Sequence, residues 1–351
     1  MAGRTYGIGI IGAGHIGRAH VKTWRECPRA EVRAVVDVIP GRAPVVAHEF
    51  KIPSAYTDYA PVLERHDIDL VAVCTPPYAH YQPTVDALQA GKAVLCEKPF
   101  ALQVGEAERM VAAARASGQH LAVASARFRY GAASCKAKEM IAAGALGRVY
   151  YGRASLFRQR GRPGIDLLKD ATWFLSKGHA GGGALIDIGV YEIDLMLWLM
   201  GNPRVLSVSA TTWQGIGDPR PDGMVQNVED HATVMCQLEG GAAFALEVAW
   251  ASHIQDQHVR LILGDRGGLQ FGPLTFFGPP VAVGRDCLSR RVLGKGVGDG
   301  AGGGLPGIAR AFITALDGGP APMTPAEEAL VVTRVIDAAY CSAATGRPVV
   351  L

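Results

Sequence analysis

The feature that most constrains the fold is a glycine turn placed between a strand-like run and a helix-like segment. Residues 6–11 form a short apolar run of the kind found in central parallel strands. The run leads into Gly12-Ala13-Gly14-His15-Ile16-Gly17, and residues 18–21 are typical of a helix start. In this setting, backbone N–H groups at the helix N-terminus hold a pyrophosphate. The alternative, a glycine-rich turn with a purely structural role, is disfavoured because the strand, the glycines and the helix start occur together.

An acidic residue stands where a dinucleotide-binding turn needs one. The second strand-like run, residues 32–37, ends in Asp37. A carboxylate at this position accepts hydrogen bonds from the adenosine ribose and repels a 2′-phosphate, so Asp37 favours NAD over NADP. Arg42 keeps NADP open, because a nearby arginine accommodates that phosphate. The cofactor contacts predicted from this part of the chain are Gly12, Gly14, His15, Ile16, Gly17, Asp37 and Arg42.

Strand-like and helix-like segments alternate as far as residue 125. Such alternation predicts a doubly wound parallel sheet. The later segments are strands at residues 70–74, 93–96 and 120–125, and helices at residues 83–90 and 104–117.

A turn with two prolines follows the strand at residues 70–74. Thr75, Pro76 and Pro77 predict an extended turn over the sheet edge, near the nicotinamide end of a cofactor. His80 comes next, and two interpretations of it stay open: a residue that supports the cofactor site, or a cap of the following helix.

A lysine stands at the end of the strand at residues 93–96. Glu97, Lys98 and Pro99 follow that strand directly. Proline carries no N–H and favours an extended conformation for the residue before it. A lysine at the carboxyl end of a parallel strand points into the ligand crevice, where desolvation shifts its pKa and suits it to proton transfer. The alternative is a solvated Glu97–Lys98 ion pair.

Size and charge exclude several classes of protein. A chain of 351 residues predicts two domains. A net charge of +3, with scattered Lys and Arg, does not indicate a nucleic-acid partner. The seven cysteines show no CxxC pair, which fits a reducing cytoplasm. We expect no secretory leader, because the first apolar run leads straight into the glycine turn. The apolar residues 185–200 include Asp187, Glu192 and Asp194, so we expect no membrane span.

A second group of polar residues lies in a predicted helix at residues 184–200, after Gly181-Gly182-Gly183. Asp187, Tyr191 and Asp194 follow one another at i, i+4 and i+7, and so share one helical face. Burying two carboxylates and a phenol is costly unless they are satisfied or used. The alternative is an exposed polar face on an amphipathic helix.

These motifs together resemble the Gfo/Idh/MocA family, named for glucose–fructose oxidoreductase, inositol dehydrogenase and a rhizopine-catabolism protein. The matching segments are Gly12-Ala13-Gly14-His15-Ile16-Gly17, Thr75-Pro76-Pro77-Tyr78-Ala79-His80, Cys96-Glu97-Lys98-Pro99-Phe100, Arg127-Phe128 and the glycine-rich segment through Asp194.

The resemblance implies an α/β chain of two domains. Residues 1–125 would form a Rossmann doubly wound parallel sheet that binds the dinucleotide. Residues 126–351 would form an α/β domain with a large, mainly antiparallel open sheet that binds substrate and mediates oligomerisation, with the last helix, residues 326–344, packing back on the Rossmann domain. It also implies a homodimer or homotetramer and a sugar, cyclitol or related polyol substrate.

The resemblance further implies the catalytic groups. The matching family helix carries Asp-x-x-x-His, in which the histidine accepts the hydroxyl proton; here Tyr191 stands at that position, as in members similar to glucose–fructose oxidoreductase and dihydrodiol dehydrogenase. A phenol with a pKa of about 10 is a poor base at neutral pH. An ammonium within ~4–6 Å lowers that pKa, and Lys98 is the candidate.

The predicted site therefore has catalytic and binding groups from both halves of the chain. Tyr191 exchanges the proton, Lys98 assists it, and Asp187 orients a neighbouring substrate hydroxyl. The predicted substrate contacts are Lys98, Arg127, Trp173, Asp187 and Tyr191, and the further predicted cofactor contacts are Thr75, Pro76, Pro77, His80, Glu97 and Lys98. Arg158, Arg160, Lys177 and His179 are additional substrate candidates without a predicted position.

The remaining motifs favour structural roles. Glu229-Asp230-His231 lacks the further ligands of a metal site, so we expect no metal. Residues 294–307 are glycine-rich, and a plain flexible connection is favoured over a lid or a phosphate cradle. Thr324 would cap the last helix.

The leading hypothesis is an NAD(P)-dependent oxidoreductase acting on a CH–OH group. Two alternatives stay open: a lyase or glycosidase that uses tightly bound NAD for transient oxidation, and a non-catalytic dinucleotide-binding regulator. The first would show no net NADH production, and the second would not need Lys98, Asp187 and Tyr191.

Overall fold

The computed structural model describes residues 3–216, 226–278, 289–293, 304–323 and 325–351. They form two compact units, one of Met1–Arg127 with Gly304–Thr333 and one of Phe128–Gly303 with Arg334–Leu351. The domain boundary at residue 125 stays a prediction.

The strands alternate with helices in the first unit and follow one another in the second. The strands are β1 (Tyr6–Ile11), β2 (Ala30–Val36), β3 (Ser54–Tyr56), β4 (Leu70–Val73), β5 (Ala93–Cys96), β6 (Leu121–Val123), β7 (Val149–Phe157), β8 (Val205–Trp213), β9 (His231–Leu238), β10 (Ala243–Ala249), β11 (Gln257–Gly264), β12 (Gly268–Gln270), β13 (Thr275–Gly278), β14 (Ser289–Val292) and β15 (Val349–Val350). The α-helices are α1 (His15–Glu26), α2 (Arg42–Phe50), α3 (Ala60–Leu63), α4 (Tyr81–Gln89), α5 (Val104–Ser117), α6 (Ala132–Ala142), α7 (Lys177–Ala180), α8 (Val190–Leu199), α9 (Gly304–Leu316) and α10 (Ala326–Thr345).

The first unit contains a six-stranded sheet in the order β3-β2-β1-β4-β5-β6, with every neighbouring pair parallel. This order confirms the predicted doubly wound sheet. Strands β1, β4 and β5 are buried throughout, as expected for strands covered on both faces. Ile11 lies beside Val73, and Val73 lies beside Cys96, so the loops after these strands leave one edge of the sheet together.

Helices from the end of the chain complete this unit. Trp24 of α1 is fully buried and meets Phe312 of α9 edge to face, with ring centroids 6.5 Å apart. The Tyr6 hydroxyl donates to the carbonyl oxygen of Leu316 at 3.0 Å. Ala326 and Ala329, in the first turns of α10, belong to the same apolar core as the strands.

The second unit contains a nine-stranded sheet in the order β14-β13-β12-β11-β7-β10-β9-β8-β15. Only β7 and β10 run parallel to each other, which confirms the predicted large, mainly antiparallel sheet. Side chains alternate between the faces of β9 and β10: Ala232, Val234 and Cys236 are buried, whereas Met235 on the opposite face is 43 % exposed. Helix α8 packs against β7 and β10.

Several predicted bounds are corrected. The helix predicted at residues 184–200 begins as a π-helical turn, Leu185–Gly189, and continues as α8. The glycine-rich connection predicted at residues 294–307 is wrong over its last four residues, which begin α9, and its other residues lie outside the described ranges. Thr324 also lies outside them, so its capping role stays a prediction. No helix within the described ranges is long and apolar enough to cross a membrane.

Candidate active site

The glycine turn after β1 has the shape of a phosphate cradle. Gly12 has a φ of +101°, and a Cβ on Gly17 would overlap the Gly12 carbonyl oxygen, so both positions require glycine. Gly14, which precedes α1, faces open space, and no side chain caps that helix. The open N-terminus of α1 therefore fits a dinucleotide pyrophosphate. His15 and Ile16 are the first residues of α1.

Asp37 follows β2 beside this turn. Its Oδ2 accepts the Ala13 backbone N–H at 2.9 Å, and its Oδ1 accepts the Ile39 N–H at 2.9 Å. Arg42 Nη1 lies 3.4 Å from Oδ2, and the Arg42 side chain is 45 % exposed. The two predicted determinants of cofactor preference therefore form one ion pair.

His80 connects the loops after β4 and β5. Its ring is fully buried, with Nδ1 2.8 Å from the Pro99 carbonyl oxygen and Nε2 2.9 Å from the Thr75 carbonyl oxygen. Although His80 precedes α4, its side chain does not cap that helix. The capping interpretation is therefore wrong, and the ring instead fixes the spacing between Thr75 and the Lys98-Pro99 segment. Pro76 and Pro77 lie in the turn that joins Thr75 to His80, and Pro77 is buried.

The side chain of Glu97 points into the protein interior. Its Oε1 lies 2.8 Å from His20 Nε2 of α1, and its Oε2 accepts the Lys98 backbone N–H at 3.0 Å and lies 3.5 Å from Arg127 Nη2. Burial acts to raise the pKa of Glu97, but Arg127 and His20 outweigh it and lower the pKa to about 2. The alternative of a solvated Glu97–Lys98 pair is wrong, because Glu97 is 3 % exposed.

In the second unit, Asp187 lies in the π-helical turn and is buried. Its Oδ2 accepts the indole N–H of Trp250 at 2.8 Å, and Trp250, directly after β10, is fully buried. The indole therefore fixes one carboxylate oxygen of Asp187.

Tyr191 lies one turn further along, in α8. Its ring meets Phe128 edge to face, with centroids 5.2 Å apart. The Arg260 guanidinium lies 5.0 Å from the centroid of Phe128 and forms a bidentate ion pair with Glu192 at 2.7 and 2.8 Å. Burial acts to raise the pKa of Glu192, but Arg260 and His258 outweigh it and lower the pKa to about 2.

These ion pairs change the interpretation of the helix. Asp194 forms a buried ion pair with Arg129 at 2.6 Å, so it serves packing. Glu192 is an additional fully buried carboxylate outside the predicted polar face. The alternative of an exposed polar face is wrong, because Asp187, Glu192 and Asp194 are all buried.

The predicted site residues therefore fall into two groups. The loops after β1, β2, β4 and β5 bring the cofactor candidates and Lys98 to one sheet edge in the first unit. Asp187 and Tyr191 share one helix in the second unit. Trp173 is in a short 3₁₀ turn and stacks on Phe174, with ring centroids 3.9 Å apart.

Glu229, Asp230 and His231 have separate contacts. Asp230 Oδ2 accepts the Gly215 N–H at 2.9 Å, and the His231 ring packs on Phe157 with centroids 5.7 Å apart. Across the described part of the chain, no group of His, Cys, Asp and Glu side chains could hold a metal ion.

Comparison with known proteins identifies the family. Residues 6–125 match the "Oxidoreductase family, NAD-binding Rossmann fold", and residues 135–270 match the "GFO/IDH/MocA C-terminal domain". The chain belongs to the Gfo/Idh/MocA family of oxidoreductases. It is 30 % identical over 280 residues to the rhizopine catabolism protein MocA of Rhizobium meliloti, covering 78 % of this chain and 79 % of that protein.

Two further proteins match almost the whole chain. D-glucoside 3-dehydrogenase of Escherichia coli is 29 % identical, over 98 % of this chain and 97 % of that protein. The crystal structure of GenD2 from gentamicin A biosynthesis in complex with NAD matches with a TM-score of 0.81 and 28 % identity, over 100 % of this chain and 97 % of that one.

In this Gfo/Idh/MocA chain, sequence patterns missed the residues that hold the site groups in place. Trp250 lies far along the chain from Asp187, and no local pattern joins them. His20 carried a usable signal, because it lies with Gly17, Val21 and Trp24 on the buried face of α1. A histidine on such a face needs a polar partner, which is Glu97.

Proposed function

We propose that this protein moves a hydride between the nicotinamide C4 of NAD(P) and a carbinol or carbonyl carbon of a sugar, cyclitol or related polyol. The observation that carries the proposal is the pair of Asp187 and Tyr191 on one helix, with Asp187 held by the Trp250 indole. The chain also has a glycine cradle that fits a dinucleotide. A bound nicotinamide would supply the hydride acceptor or donor.

The proposed catalytic residues have different roles. Tyr191 accepts the hydroxyl proton during oxidation and returns it during reduction. Lys98 stabilises the phenolate and polarises the carbonyl oxygen. Asp187, whose Oδ2 accepts the Trp250 indole N–H, orients a neighbouring substrate hydroxyl. Arg127 forms an ion pair with Glu97 and directly precedes Phe128, the residue whose ring contacts Tyr191. Arg127 is therefore proposed to bind the substrate.

The names of the relatives support a carbohydrate substrate. They include D-glucoside 3-dehydrogenase, levoglucosan dehydrogenase and D-apiose dehydrogenase. A spectrophotometric screen of D-glucosides, levoglucosan, D-apiose and inositols with NAD and with NADP tests the substrate class. We expect net NADH production with at least one of them, and faster turnover with NAD because of Asp37.

Substitution of Tyr191 and Lys98 tests the catalytic assignment. Tyr191→Phe and Lys98→Met should each lower kcat by about 10²–10⁴-fold, because general acid–base catalysis contributes that much. The matched controls are Tyr150→Phe and Lys136→Met, which change exposed side chains. Near-normal turnover in both test variants would show that the assignment is wrong.

We also propose that the protein is a cytoplasmic homo-oligomer that associates through the open face of the nine-stranded sheet. That face carries the exposed Met235 and an Arg153–Glu247 ion pair at 2.7 Å. Light scattering on the purified protein measures the mass, and a monomer at micromolar concentration would contradict the proposal.

A further inference from the structure

Three successive backbone N–H groups at the start of the Asp187–Tyr191 helix bond to a single residue, Glu229. The Gly183 N–H donates to Glu229 Oε2 at 2.8 Å, and the Leu185 N–H donates to Oε1 at 2.9 Å. Between them, the Ala184 N–H donates to the Glu229 backbone carbonyl oxygen at 3.1 Å. One residue thus satisfies donors that a helix start leaves without intrahelical partners.

Tyr340 of α10 completes this arrangement. Its hydroxyl donates to Glu229 Oε1 at 2.9 Å. Burial, followed by the nearby Glu229 carboxylate, raises the pKa of Tyr340 well above its ordinary value, so the phenol stays a donor at neutral pH.

The glycine run before the helix is explained by these two residues. A Cβ on Gly182 would overlap the Tyr340 hydroxyl, and a Cβ on Gly183 would overlap the Glu229 carbonyl oxygen. The backbone of the turn therefore lies directly against both residues, where any larger side chain would push it away.

Glu229 and Asp230 are connected to Asp187 through two sets of hydrogen bonds. The Asp187 N–H donates to the Gly183 carbonyl oxygen at 3.0 Å, so the turn held by Glu229 sets the Asp187 backbone. The Trp250 backbone N–H donates to the Asp230 carbonyl oxygen at 2.8 Å, and the Trp250 indole holds the Asp187 carboxylate. Glu229 and Asp230 thus fix both the backbone and the side chain of Asp187.

We propose that Glu229, together with Tyr340, is a positioning residue for catalysis: it fixes the turn at residues 183–185 and thereby sets the places of Asp187 and Tyr191. The inference rests on the proposed function, in which Asp187 and Tyr191 act on the substrate. Glutamine cannot replace Glu229, because it has one acceptor oxygen where two backbone N–H groups need one each, and its NH₂ group would face a donor.

Hydrogen–deuterium exchange tests the structural half of the proposal without substrate. Glu229→Gln and Tyr340→Phe should speed exchange in the peptide that covers residues 183–192, with the larger effect for Glu229→Gln. The matched control is Glu239→Gln, because Glu239 is an exposed glutamate that accepts the Arg204 backbone N–H at 2.9 Å. Unchanged exchange in that peptide for Glu229→Gln overturns the proposal.

Kinetics test the catalytic half, with the compound that turns over fastest in the substrate screen. Glu229→Gln should lower kcat by about 10- to 100-fold, the cost of misplacing reacting groups, and leave NADH affinity, measured by fluorescence, within about twofold. In a Tyr191→Phe background the same substitution should lower kcat by a smaller factor than in the wild type, because residues that act as a unit are not additive and only the effect on Asp187 remains.

The outcomes separate this proposal from the proposed function. A normal kcat for Glu229→Gln, or an equal loss in the Tyr191→Phe background, overturns the positioning role while the proposed function stands. No turnover in the whole screen, or full turnover by Tyr191→Phe, overturns the proposed function and the positioning role with it. If Glu229→Gln lost activity because it unfolds, its thermal melting curve would show this. The kcat of Tyr340→Phe, which removes only one hydroxyl, would then test the proposal: a lowered kcat supports it and a normal kcat overturns it.

Discussion

The hydrogen bond from Trp250 to Asp187 can be tested by one substitution. Replacing it with phenylalanine removes the indole N–H that Asp187 Oδ2 accepts, while keeping an aromatic ring in a fully buried position. We expect kcat to fall by about tenfold, because a buried carboxylate without its donor reorients. NADH affinity should not change. The control is Trp213→Phe, which alters a side chain that is 64 % exposed; a normal kcat for Trp250→Phe would contradict this role.

Asp37 makes a second prediction at this scale. Asp37→Ala removes the carboxylate that we expect to repel a 2′-phosphate, and releases Arg42 from its ion pair. The ratio of kcat/KM for NAD to that for NADP should fall by about tenfold or more. Asp58→Asn is the matched control, because Asp58 accepts the Ala60 backbone N–H on an exposed turn. An unchanged ratio would show that Asp37 does not set cofactor preference.

At the scale of one element, the glycines of the turn after β1 differ in whether they have room for a side chain. Gly17→Ala would place a Cβ against the Gly12 carbonyl oxygen, so α1 must move away from β1. Gly14→Ala has open space and an ordinary φ of −75°, so it should fold normally. We expect Gly17→Ala to lower the melting temperature and abolish NADH binding, whereas Gly14→Ala keeps the melting temperature. Equal melting temperatures would contradict the packing argument.

Local signals decided which elements could be predicted. The first sheet was predictable because each buried strand, with the turn after it, is a contiguous signal. In the second sheet, β7 pairs with β10 and β11, which are distant in sequence, so local signals could not give the order of its strands. Helices α2, α3, α6, α7 and α9 were not predicted.

The site residues likewise divide into those that a local motif indicates and those that only contacts between distant segments reveal. Lys98, Asp187 and Tyr191 could be named because each lies in a recognisable motif. Their supports could not, because the bond from Trp250 to Asp187 and the ion pair of Arg260 with Glu192 join distant segments. The π-helical turn was also missed, since its residues have the same apolar pattern as an α-helix.

At the scale of the whole molecule, buried carboxylates set the response to acid. Glu97 and Glu192, one in each unit, have pKa values lowered to about 2 in the folded protein, against 4.5 for a free glutamate. Because the folded pKa is depressed, the stability they add is present above about pH 4.5 and is lost as the pH falls towards 2. The urea midpoint should therefore decrease steeply over that range.

A double substitution isolates the contribution of Glu192 to stability in acid. Arg260→Met alone removes the bidentate guanidinium from the buried Glu192 and leaves His258 Nε2 3.1 Å away, and it should cost about 3–5 kcal/mol of unfolding free energy at pH 7. Arg260→Met with Glu192→Gln removes both charges, and should recover part of that loss and flatten the acid response. The same steepness in the double variant and the wild type would show that this ion pair does not govern acid stability.

The π-helical turn at Leu185–Gly189 has a consequence for how this sequence can vary in length. A π-turn bonds each N–H five residues back, so it carries one more residue than an α-helical turn. An α-helix advances about 100° per residue, so deleting a single residue here would swing Tyr191 by about that angle around the axis. Asp187 would keep its place while the phenol left the shared side. The extra residue thus sets the angle between Asp187 and Tyr191 around the helix axis. We therefore expect a substitution in this turn to disturb the two side chains less than the insertion or deletion of one residue.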